Sequence, residues 1–381
     1  MPDAKKIGIY RTVYPIVSEA FITEQVTALR RYDPIVIMRT RLKDVSLDSI
    51  AISDDDAYGL KQKIFTITRS WSVFPKERQQ LSLKLIHAHF GPDGVYAMSL
   101  AEGIGVPFLV TVHGFDATMC RRSLWMSKMP TVFQFLLREK ELKGKASAFI
   151  AVSRFIREKL LERGYPEDKI IQHYIGVDTD KFTPSDNKGD ERYILCVGRH
   201  TAKKGIDTLL RAFARVADKH PDVILVQVGA DDATRSLQGL TAKLGLQGRV
   251  RLLGPQPHET VRQLMRSAEI FALPSQTAAT GDSEALGIVF NEASACGIPI
   301  VATWHGGIPE AVLDGETGLL AQEKDDSSLA DKLDILLCDR ELGTRMGRRG
   351  REYVCETFDI RKQTKKLETI YDDILQTAHR Y

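Results

Sequence analysis

The feature of this sequence that most constrains its fold is the alternation of short, β-branched apolar runs with longer amphipathic stretches. This alternation is typical of parallel strands joined by helical crossovers, and not of hairpins. In the first half it predicts strands at residues 7–10, 35–38, 84–87, 108–112, 148–152 and 170–172. The pattern then restarts and predicts strands at residues 193–197, 223–228, 249–253, 270–273, 300–302 and 318–320, with helices between them. We therefore expect an α/β protein with two doubly wound, Rossmann-like sheets.

A polar stretch that is rich in turn-forming residues, 183–191, separates the two halves. We expect a first domain over residues 1–182, a second over 190–359, and a last helix, 360–381, that packs back onto the first domain. Ligands of doubly wound sheets bind beyond the carboxyl ends of the strands. Two such domains facing each other therefore predict an interdomain cleft as the binding site.

Composition and charge limit the class of protein. The 381 residues, of which 43% are hydrophobic and 27% charged, are enough for two cores. A net charge of +3 is too small to indicate a nucleic-acid partner. We expect no signal peptide and no membrane-spanning segment, because the apolar runs are short, and the five scattered cysteines form no Cys-x-x-Cys pair. These features predict a cytoplasmic protein without a disulfide framework or a zinc site.

The first candidate for chemistry follows the first strand of the second half, where the sequence reads Gly198-Arg199-His-Thr-Ala-Lys-Lys204-Gly205. A glycine allows close approach of the backbone, and Arg199 and Lys204 supply the positive charge that a leaving diphosphate needs. A solvated loop with three cations would give the same pattern, so the segment alone leaves both interpretations open.

The second candidate is the segment Glu284-Ala-Leu-Gly-Ile-Val-Phe-Asn-Glu292. If a helix begins near Gly287, its first N–H groups and its dipole favour an anion such as a diphosphate. At the helical rise of 1.5 Å per residue the two glutamates are at most ~12 Å apart, which suits a carboxylate at the donor sugar and another at the ribose. Two surface glutamates at this spacing are nevertheless common, so the position of the pair matters more than the pair itself.

These segments together resemble glycosyltransferase family 4, whose members are retaining enzymes of the GT-B fold. The resemblance extends over residues 297–310 and 314–320, and in the first half over Thr111-Val-His113-Gly114-Phe-Asp116. It implies that Gly198, Arg199 and Lys204 bind the diphosphate of a nucleotide-sugar donor. The resemblance further implies roles for the residues of the second candidate and for His113. Backbone groups of Gly287, Ile288 and Val289 would contact phosphate or sugar, Glu292 the ribose, Glu284 the sugar hydroxyls, and His113 a hydroxyl or the developing charge.

The family needs no metal or other cofactor, and near these motifs we find no Asp-x-Asp pair, since Asp54-Asp55-Asp56 lies far away in sequence. Retention is then explained by same-face attack on an oxocarbenium-like centre, with the departing phosphate as base. Leu253 is our expectation for the pocket of the nucleotide base. One departure concerns the loop that begins at Tyr14, which lacks the glycine pair of many relatives, so acceptor contacts cannot be transferred.

Within the family, the run Ser18-Glu-Ala-Phe-Ile-Thr-Glu24 combined with His87-Ala-His-Phe-Gly91 is similar to the branch that builds bacterial exopolysaccharides. His87 and His89 could suggest a metal pair, but packing at a strand end is the better interpretation. A turn followed by a helix start explains Gly306 and Gly307.

The stretch 121–145 mixes basic side chains with Trp125, Met126, Met129, Phe133 and Phe135, and the excess of Lys and Arg lies in the first half of the chain. Two interpretations remain open. An apolar face packed in the core is favoured by the sequence alone; peripheral docking on the inner face of a membrane would bring the enzyme to a lipid-linked acceptor.

We therefore predict a metal-independent, retaining hexosyltransferase that moves a sugar from a nucleotide-diphosphate donor to a saccharide or lipid-linked acceptor in surface polysaccharide or glycoconjugate biosynthesis. Two alternatives remain: a nucleotide-sugar epimerase of the same fold, and a catalytically silent nucleotide-sugar-binding scaffold.

Overall fold

The computed structural model describes residues 5–16, 19–42, 47–52, 59–74, 82–185, 189–230 and 236–378. Outside the described residues lie the acidic run 54–56, residues 17 and 18 of the loop after the first strand, the middle of the polar stretch 183–191, and residues 233–235, which begin the helix that the sequence pattern predicts at 233–244. The chain divides into two compact units. The first comprises Met1–Gly176 with Ile360–Tyr381, and the second Val177–Asp359.

The first unit contains a seven-stranded parallel sheet. Its strands are β1 (Lys5–Tyr14), β2 (Tyr32–Arg41), β3 (Ser49–Ala51), β4 (Leu85–His89), β5 (Phe108–Val112), β6 (Ala148–Ala151) and β7 (Ile170–Gln172). They are arranged in the order β3-β2-β1-β4-β5-β6-β7. The helices along this part of the chain are α1 (Ala20–Thr27), α2 (Leu60–Thr68), α3 (Gly91–Ile104), α4 (Phe115–Thr118), α5 (Arg121–Met126), α6 (Pro130–Lys145) and α7 (Arg154–Glu162).

The second unit contains a six-stranded parallel sheet in the order β10-β9-β8-β11-β12-β13. Its strands are β8 (Arg192–Val197), β9 (Val223–Val228), β10 (Val250–Leu252), β11 (Ile270–Ala272), β12 (Ile300–Thr303) and β13 (Gly318–Ala321). Its helices are α8 (Ile206–Val216), α9 (Leu237–Lys243), α10 (His258–Ser267), α11 (Ile288–Ala295), α12 (Ile308–Ala311), α13 (Asp326–Cys338) and α14 (Arg340–Thr357).

The last helix, α15 (Ile360–Ala378), belongs to the first unit. Its residues Leu367 and Tyr371 lie in one hydrophobic cluster with side chains of β1 and β2, and both are almost fully buried. Glu368 accepts hydrogen bonds from the backbone N–H groups of Arg30 and Arg31, each at 2.7 Å. The helix is therefore held to the first sheet by apolar packing and by a buried carboxylate.

Residues 177–182, which the sequence assigned to the first domain, lie in the second unit. Val177 forms a parallel bridge with Asp359, and Phe182 is fully buried. The Arg351 guanidinium donates a hydrogen bond to the carbonyl oxygen of Thr179 at 2.7 Å. These contacts bind the segment to the second unit, although the stretch of turn-forming residues that separates the two halves in the sequence begins only at residue 183.

In both sheets the order in which successive strands are added reverses near the middle of the sheet. In the first, β1 is followed by β2 on one side, and β4 lies on its other side; β8, β9 and β11 repeat this arrangement in the second. Loops that leave neighbouring strands in opposite directions open a crevice at the carboxyl edge of a sheet. Each unit therefore has one topological switch point. The motifs at 198–205 and 284–292 follow β8 and β11, which form the switch point of the second sheet, whereas His113 follows β5, the neighbour of β4 in the first. None of the helices in the described ranges combines the length and hydrophobicity needed to span a bilayer.

Candidate active site

The loop after β8 carries the first predicted motif. Gly198 donates its N–H to the carbonyl oxygen of Val228 at 2.9 Å, which continues the strand pairing. Gly205 has a φ of 61°, and a Cβ atom there would lie 2.2 Å from the carbonyl oxygen of Pro274. Only glycine fits this position, because both the backbone conformation and the space exclude a side chain. The loop after β8 is thereby pressed against the loop after β11.

Helix α11 follows β11 and begins at Ile288, with Gly287 as its N-cap at a φ of 81°. No side chain in the described ranges caps this helix end. The first N–H groups of a helix lack partners within it, and the dipole favours negative charge there. The N–H groups of Ile288 and Val289 are therefore free to bind an anion. The structure places this helix end on the segment that directly follows Glu284.

Glu284 is a buried carboxylate in the loop before α11. Its carboxylate accepts hydrogen bonds from Lys204 Nζ at 2.6 Å and from Ser275 Oγ at 3.1 Å. Burial alone would raise the pKa of Glu284, but the positive charges of Lys204 and Lys203 and the two hydrogen bonds outweigh it and lower the pKa to about 2. Glu284 is therefore an anion under all ordinary conditions. It can accept hydrogen bonds from hydroxyl groups but cannot act as a general acid.

The remaining basic residues of the loop differ in their partners. Lys203 Nζ lies 3.1 Å from Asp282 Oδ1, so its charge is neutralised within the loops. Arg199 is exposed, and its guanidinium has no hydrogen-bond or ion-pair partner in the part of the chain that the structure describes. A planar guanidinium of this kind suits bidentate contact with a phosphate.

A buried network that the sequence did not reveal supports the Glu284 loop. The backbone N–H of Glu284 donates to His305 Nε2 at 3.1 Å, so His305 has its proton on Nδ1, which lies 3.2 Å from Glu323 Oε2. Burial lowers the pKa of His305 despite the neighbouring carboxylate. Ser275, His305 and Glu323 come directly after or close to the ends of β11, β12 and β13. Their positions after three predicted strands were the available signal, because parallel strands end at the same edge.

Gly306 and Gly307 let the backbone pack closely against the Glu284 loop, because neither residue has a side chain. A Cβ atom at Gly306 would lie 2.2 Å from the carbonyl oxygen of Glu284, and one at Gly307 would lie 1.9 Å from that of Ala285. The N–H of Gly307 donates to the carbonyl oxygen of Glu284 at 3.0 Å. The predicted turn is present, with α12 beginning at Ile308, and the close approach is an additional reason for both glycines.

Glu292 and Leu253 lie further along the same edge. Glu292 is partly buried on α11, with Oε1 3.5 Å from Nε2 of His258, a neighbour that the sequence did not suggest. Leu253 follows β10, two strands from β8, and its N–H donates to the carbonyl oxygen of Gln227 at 2.9 Å. At a strand spacing of about 4.8 Å this places Leu253 roughly 10 Å from the Gly198 strand. The predicted donor-binding residues therefore share one edge of the second sheet.

His113 belongs to the first unit and follows β5. Its Nε2 lies 3.0 Å from Nδ1 of His89, and its ring packs on Phe90 with centroids 4.5 Å apart. Burial, with the nearby charge of Arg11, holds the pKa of His113 well below the ordinary range, so the ring is neutral. It can exchange hydrogen bonds with a substrate but does not bring a positive charge.

The protons of this histidine pair can be assigned from burial. Nε2 of His89 is buried and has no partner among the described residues. If His113 donated, His89 would have its proton on this Nε2, and a buried N–H without a partner costs about 1–3 kcal/mol. His89 Nδ1–H therefore donates to His113 Nε2, which leaves the proton of His113 on Nδ1.

A buried ion cluster stands next to the histidines. The Arg11 guanidinium bonds the carboxylates of Asp93 and Glu19 and lies 4.5 Å from the centroid of the Phe90 ring. Burial raises the pKa of Asp93, although Arg11 and Thr12 counteract it. The cluster fixes the switch point of the first sheet, since it joins β1, the segment before α1 and helix α3.

Among the described residues, one group of side chains has the ligand atoms for a metal ion close together. His220, Asp334 and Cys338 have ligand atoms within 4.8 Å of one another. They follow α8 or lie on α13, at the opposite end of the sheet from the loops after β8 and β11, and Lys219 Nζ already lies 2.8 Å from Asp334 Oδ2. His87 hydrogen-bonds the Tyr371 hydroxyl at 2.7 Å and Thr111 Oγ1 at 2.6 Å, so both of its nitrogens are used in packing.

Both halves of the chain match known families of glycosyltransferases. Residues 177–353 match the family described as "Glycosyl transferases group 1", and residues 30–181 match "Glycosyltransferase Family 4". The D-inositol 3-phosphate glycosyltransferase of Corynebacterium jeikeium is 31% identical over 343 residues, which cover 84% of this chain and 79% of that enzyme. A GDP-mannose-dependent alpha-(1-6)-phosphatidylinositol monomannoside mannosyltransferase of Mycolicibacterium smegmatis is 32% identical over 239 residues, 60% of this chain and 63% of that enzyme.

A putative colanic acid biosynthesis glycosyltransferase, WcaL of Salmonella typhimurium, is 29% identical over 292 residues, 75% of this chain and 70% of that protein. Among solved structures, sucrose-phosphate synthase from Thermosynechococcus elongatus has a TM-score of 0.79 at 22% identity, covering 98% of this chain and 100% of that one. Anabaena HepE in complex with UDP-glucose has a TM-score of 0.74 at 19% identity, covering 97% and 99%. These likenesses confirm the predicted GT-B fold class.

Proposed function

The chain belongs to glycosyltransferase family 4, and we propose that it transfers a hexose-type sugar, with retention of configuration, from a nucleotide-diphosphate donor to a saccharide or lipid-linked acceptor. The observation that carries this proposal is the Lys204–Glu284 ion pair beside the uncapped start of α11. It combines a cation and free N–H groups for a diphosphate with an anion for hydroxyl groups.

In the proposed donor complex, Arg199, Lys204 and the N–H groups at the start of α11 bind the diphosphate. A diphosphate brings its own negative charge, so Lys204 then has an anion on each side. This arrangement stabilises the charge that develops on the leaving group without a metal ion. Glu284, which stays ionised, accepts hydrogen bonds from sugar hydroxyls, and Glu292 accepts them from the ribose.

The proposed chemical step breaks the bond between the anomeric carbon and the diphosphate oxygen, which keeps the electron pair. The acceptor oxygen forms the new bond on the same face, and its proton passes to the departing phosphate. A neutral His113 suits a hydrogen bond to a sugar hydroxyl in this step. Glu284 is in an ion pair with Lys204, so its proposed role is to orient the sugar and not to attack it.

The relatives support a hexose but leave the donor base and the acceptor open. One is named for GDP-mannose and a phosphatidylinositol mannoside, another for inositol phosphate, and a third for colanic acid. A structural neighbour was solved with UDP-glucose. We propose a place in surface polysaccharide or glycoconjugate synthesis on the cytoplasmic side, where the five free cysteines stay reduced.

The test is a panel of UDP-, GDP- and ADP-sugars incubated with the enzyme, with and without EDTA, and with the products identified by NMR. Slow hydrolysis of one donor that EDTA does not change, and release of the sugar with the donor's anomeric configuration, are the expected results. Conversion of the donor into its epimer would favour the epimerase instead. Binding without any turnover, in the presence of lipid and saccharide acceptors, would favour the scaffold.

A further inference from the structure

Helices α5 and α6 expose an apolar surface, formed by Trp125, Met126, Met129, Phe133 and Leu137. Their exposed fractions run from 43% for Phe133 to 65% for Met126. The rings of Trp125 and Phe133 pack together with centroids 5.1 Å apart. We refer to these five residues as the α5–α6 surface.

The hydrophobic core does not account for this surface. The inward side of the same helices is formed by other residues, since Leu124 and Val132 are 2% exposed and Phe135 is fully buried. Of the five apolar residues noted from the sequence, only Phe135 lies in the core, while Trp125, Met126, Met129 and Phe133 are exposed. An apolar patch of this kind on a protein surface usually marks a binding site.

Positive charge is in excess around the surface, because the two glutamates of α6, Glu139 and Glu141, are paired with the basic residues Arg121 and Arg138. Between residues 117 and 138 the sequence contains Arg121, Arg122, Lys128 and Arg138 and not one Asp or Glu. Arg122 and Lys128 are exposed, and neither has a hydrogen-bond or ion-pair partner within the described ranges. The partner that complements this surface is therefore apolar and anionic.

We propose that the α5–α6 surface docks on an anionic lipid bilayer. Tryptophan, phenylalanine and methionine side chains insert at the boundary between headgroups and acyl chains, while neighbouring cations are attracted to anionic headgroups. A second copy of the chain fits less well. A two-fold contact through this surface would bring the exposed cations Arg122 and Lys128 of both copies close together, which is unfavourable.

The surface is joined to the candidate site of the first unit by direct packing. Phe115 packs against the buried cluster of Leu124, Val132 and Leu136 beneath the α5–α6 surface. The Phe115 and Phe90 rings lie 5.5 Å apart, and Phe90 packs on His113. Docking therefore holds the His113 loop close to the bilayer. The idea that docking presents a lipid-linked acceptor to the site rests on the proposed function. The docking of this surface on a bilayer does not depend on that function.

The experiment is flotation of the full chain with vesicles of phosphatidylcholine alone and of phosphatidylcholine mixed with phosphatidylglycerol. We expect binding to the mixed vesicles, weakened by salt, and a loss of about tenfold or more in Trp125→Ser/Phe133→Ser. Trp304→Ser is the matched control, because Trp304 is 55% exposed against 59% for Trp125 but lies in the second unit. It should bind vesicles like the wild type.

A second variant, Arg122→Glu/Lys128→Glu, tests the electrostatic part and should lose the preference for anionic vesicles. Equal binding to both vesicle types, or unchanged binding of Trp125→Ser/Phe133→Ser, would overturn the proposal. So would a wild-type dimer in sedimentation that Trp125→Ser/Phe133→Ser converts to a monomer without any vesicle binding. Donor binding measured on the same samples separates the two proposals, since its failure concerns only the proposed function.

Discussion

The residues predicted to contact the donor differ in charge between the two units: in the first unit they are neutral histidines beside the buried Arg11 cluster, whereas in the second they form an ion pair. His89 is the last residue of β4 and His113 follows β5, and both rings stay uncharged. After β8 and β11 lie Lys204 and Glu284, which are joined in a 2.6 Å ion pair. The same topology thus supports two chemistries. The basic groups of the second unit can neutralise an anion, whereas the histidines of the first can exchange hydrogen bonds without adding charge.

The largest effect is expected from removing the anion of the second unit. Glu284→Gln should lower kcat about 100- to 1000-fold, because it removes a charged hydrogen-bond acceptor and frees Lys204 from its partner. Donor affinity should change much less, since Lys204 still binds the diphosphate. Asp282→Asn is the control, because Asp282 pairs with Lys203 in the neighbouring loop. If both variants had the same kcat, Glu284 would have no special role.

The two units should also differ in their response to acid. The pKa of His87 is about 3, and those of His89 and His113 also lie below the ordinary 6.5. The unfolded chain therefore takes up protons that the folded first unit does not, and stability falls below pH 6.5. The loss is about 1.4 kcal/mol per pH unit for each histidine.

The contribution of Glu284 to the second unit behaves differently. Its pKa of about 2 lies below the ordinary 4.5, so this contribution of roughly 3 kcal/mol is complete above pH 4.5 and is lost as the pH falls towards 2. Urea unfolding followed by tryptophan fluorescence separates the units. Trp304→Phe leaves emission from the first unit only, and Trp71→Phe/Trp125→Phe from the second only. His305 of the second unit also has a lowered pKa, so between pH 6.5 and 5 the second unit should lose stability with a smaller slope than the first, and identical slopes would remove the distinction.

A smaller effect is expected in the first unit. His113→Ala should lower kcat/KM about tenfold, the value of one hydrogen bond to a substrate hydroxyl, and the ratio to wild type should not change between pH 6 and 8. His87→Gln is the control. It removes a histidine whose nitrogens bond Tyr371 and Thr111, so it should reduce stability with little change in kcat/KM.

The smallest effect concerns the ribose. Glu292→Gln should weaken donor binding about three- to tenfold, because an amide accepts hydroxyl hydrogen bonds less strongly than a carboxylate. A donor without the ribose 2′-hydroxyl should bind the variant and the wild type with nearly equal affinity. An unchanged penalty with that donor would show that Glu292 acts elsewhere.

Much of the fold was accessible from the sequence because buried parallel strands are apolar runs. All six strands predicted in the second half are present within one or two residues of their expected bounds. Helix α2 was not predicted, and its pattern is misleading, since Leu60 and Ile67 are exposed while Gln62 is buried. Strand β3 is only three residues long and too short for periodicity.

The site residues could be predicted from the sequence where they belong to one short segment with a recognisable pattern. The Gly198–Gly205 and Glu284–Glu292 segments each bring their residues to one place through a strand end and a helix start. The residues that contact Glu284 could not be predicted from the sequence in this way. Ser275 and His305 are separated from each other by about one strand–helix–strand unit, and only the register of β11 with β12 brings them together.

The central claim, that Lys204 binds the diphosphate of the donor, is tested most directly by calorimetric titration of the preferred donor in EDTA. Wild type, Lys204→Ala and Lys203→Ala should be compared, because the two lysines are adjacent and similarly buried, with exposed side-chain fractions of 19% and 22%. We predict that Lys204→Ala weakens binding about 10- to 100-fold and Lys203→Ala only a few-fold, since a charge-assisted hydrogen bond contributes about 1.5–3 kcal/mol. Equal losses in the two variants, or unchanged binding in Lys204→Ala, would contradict the account.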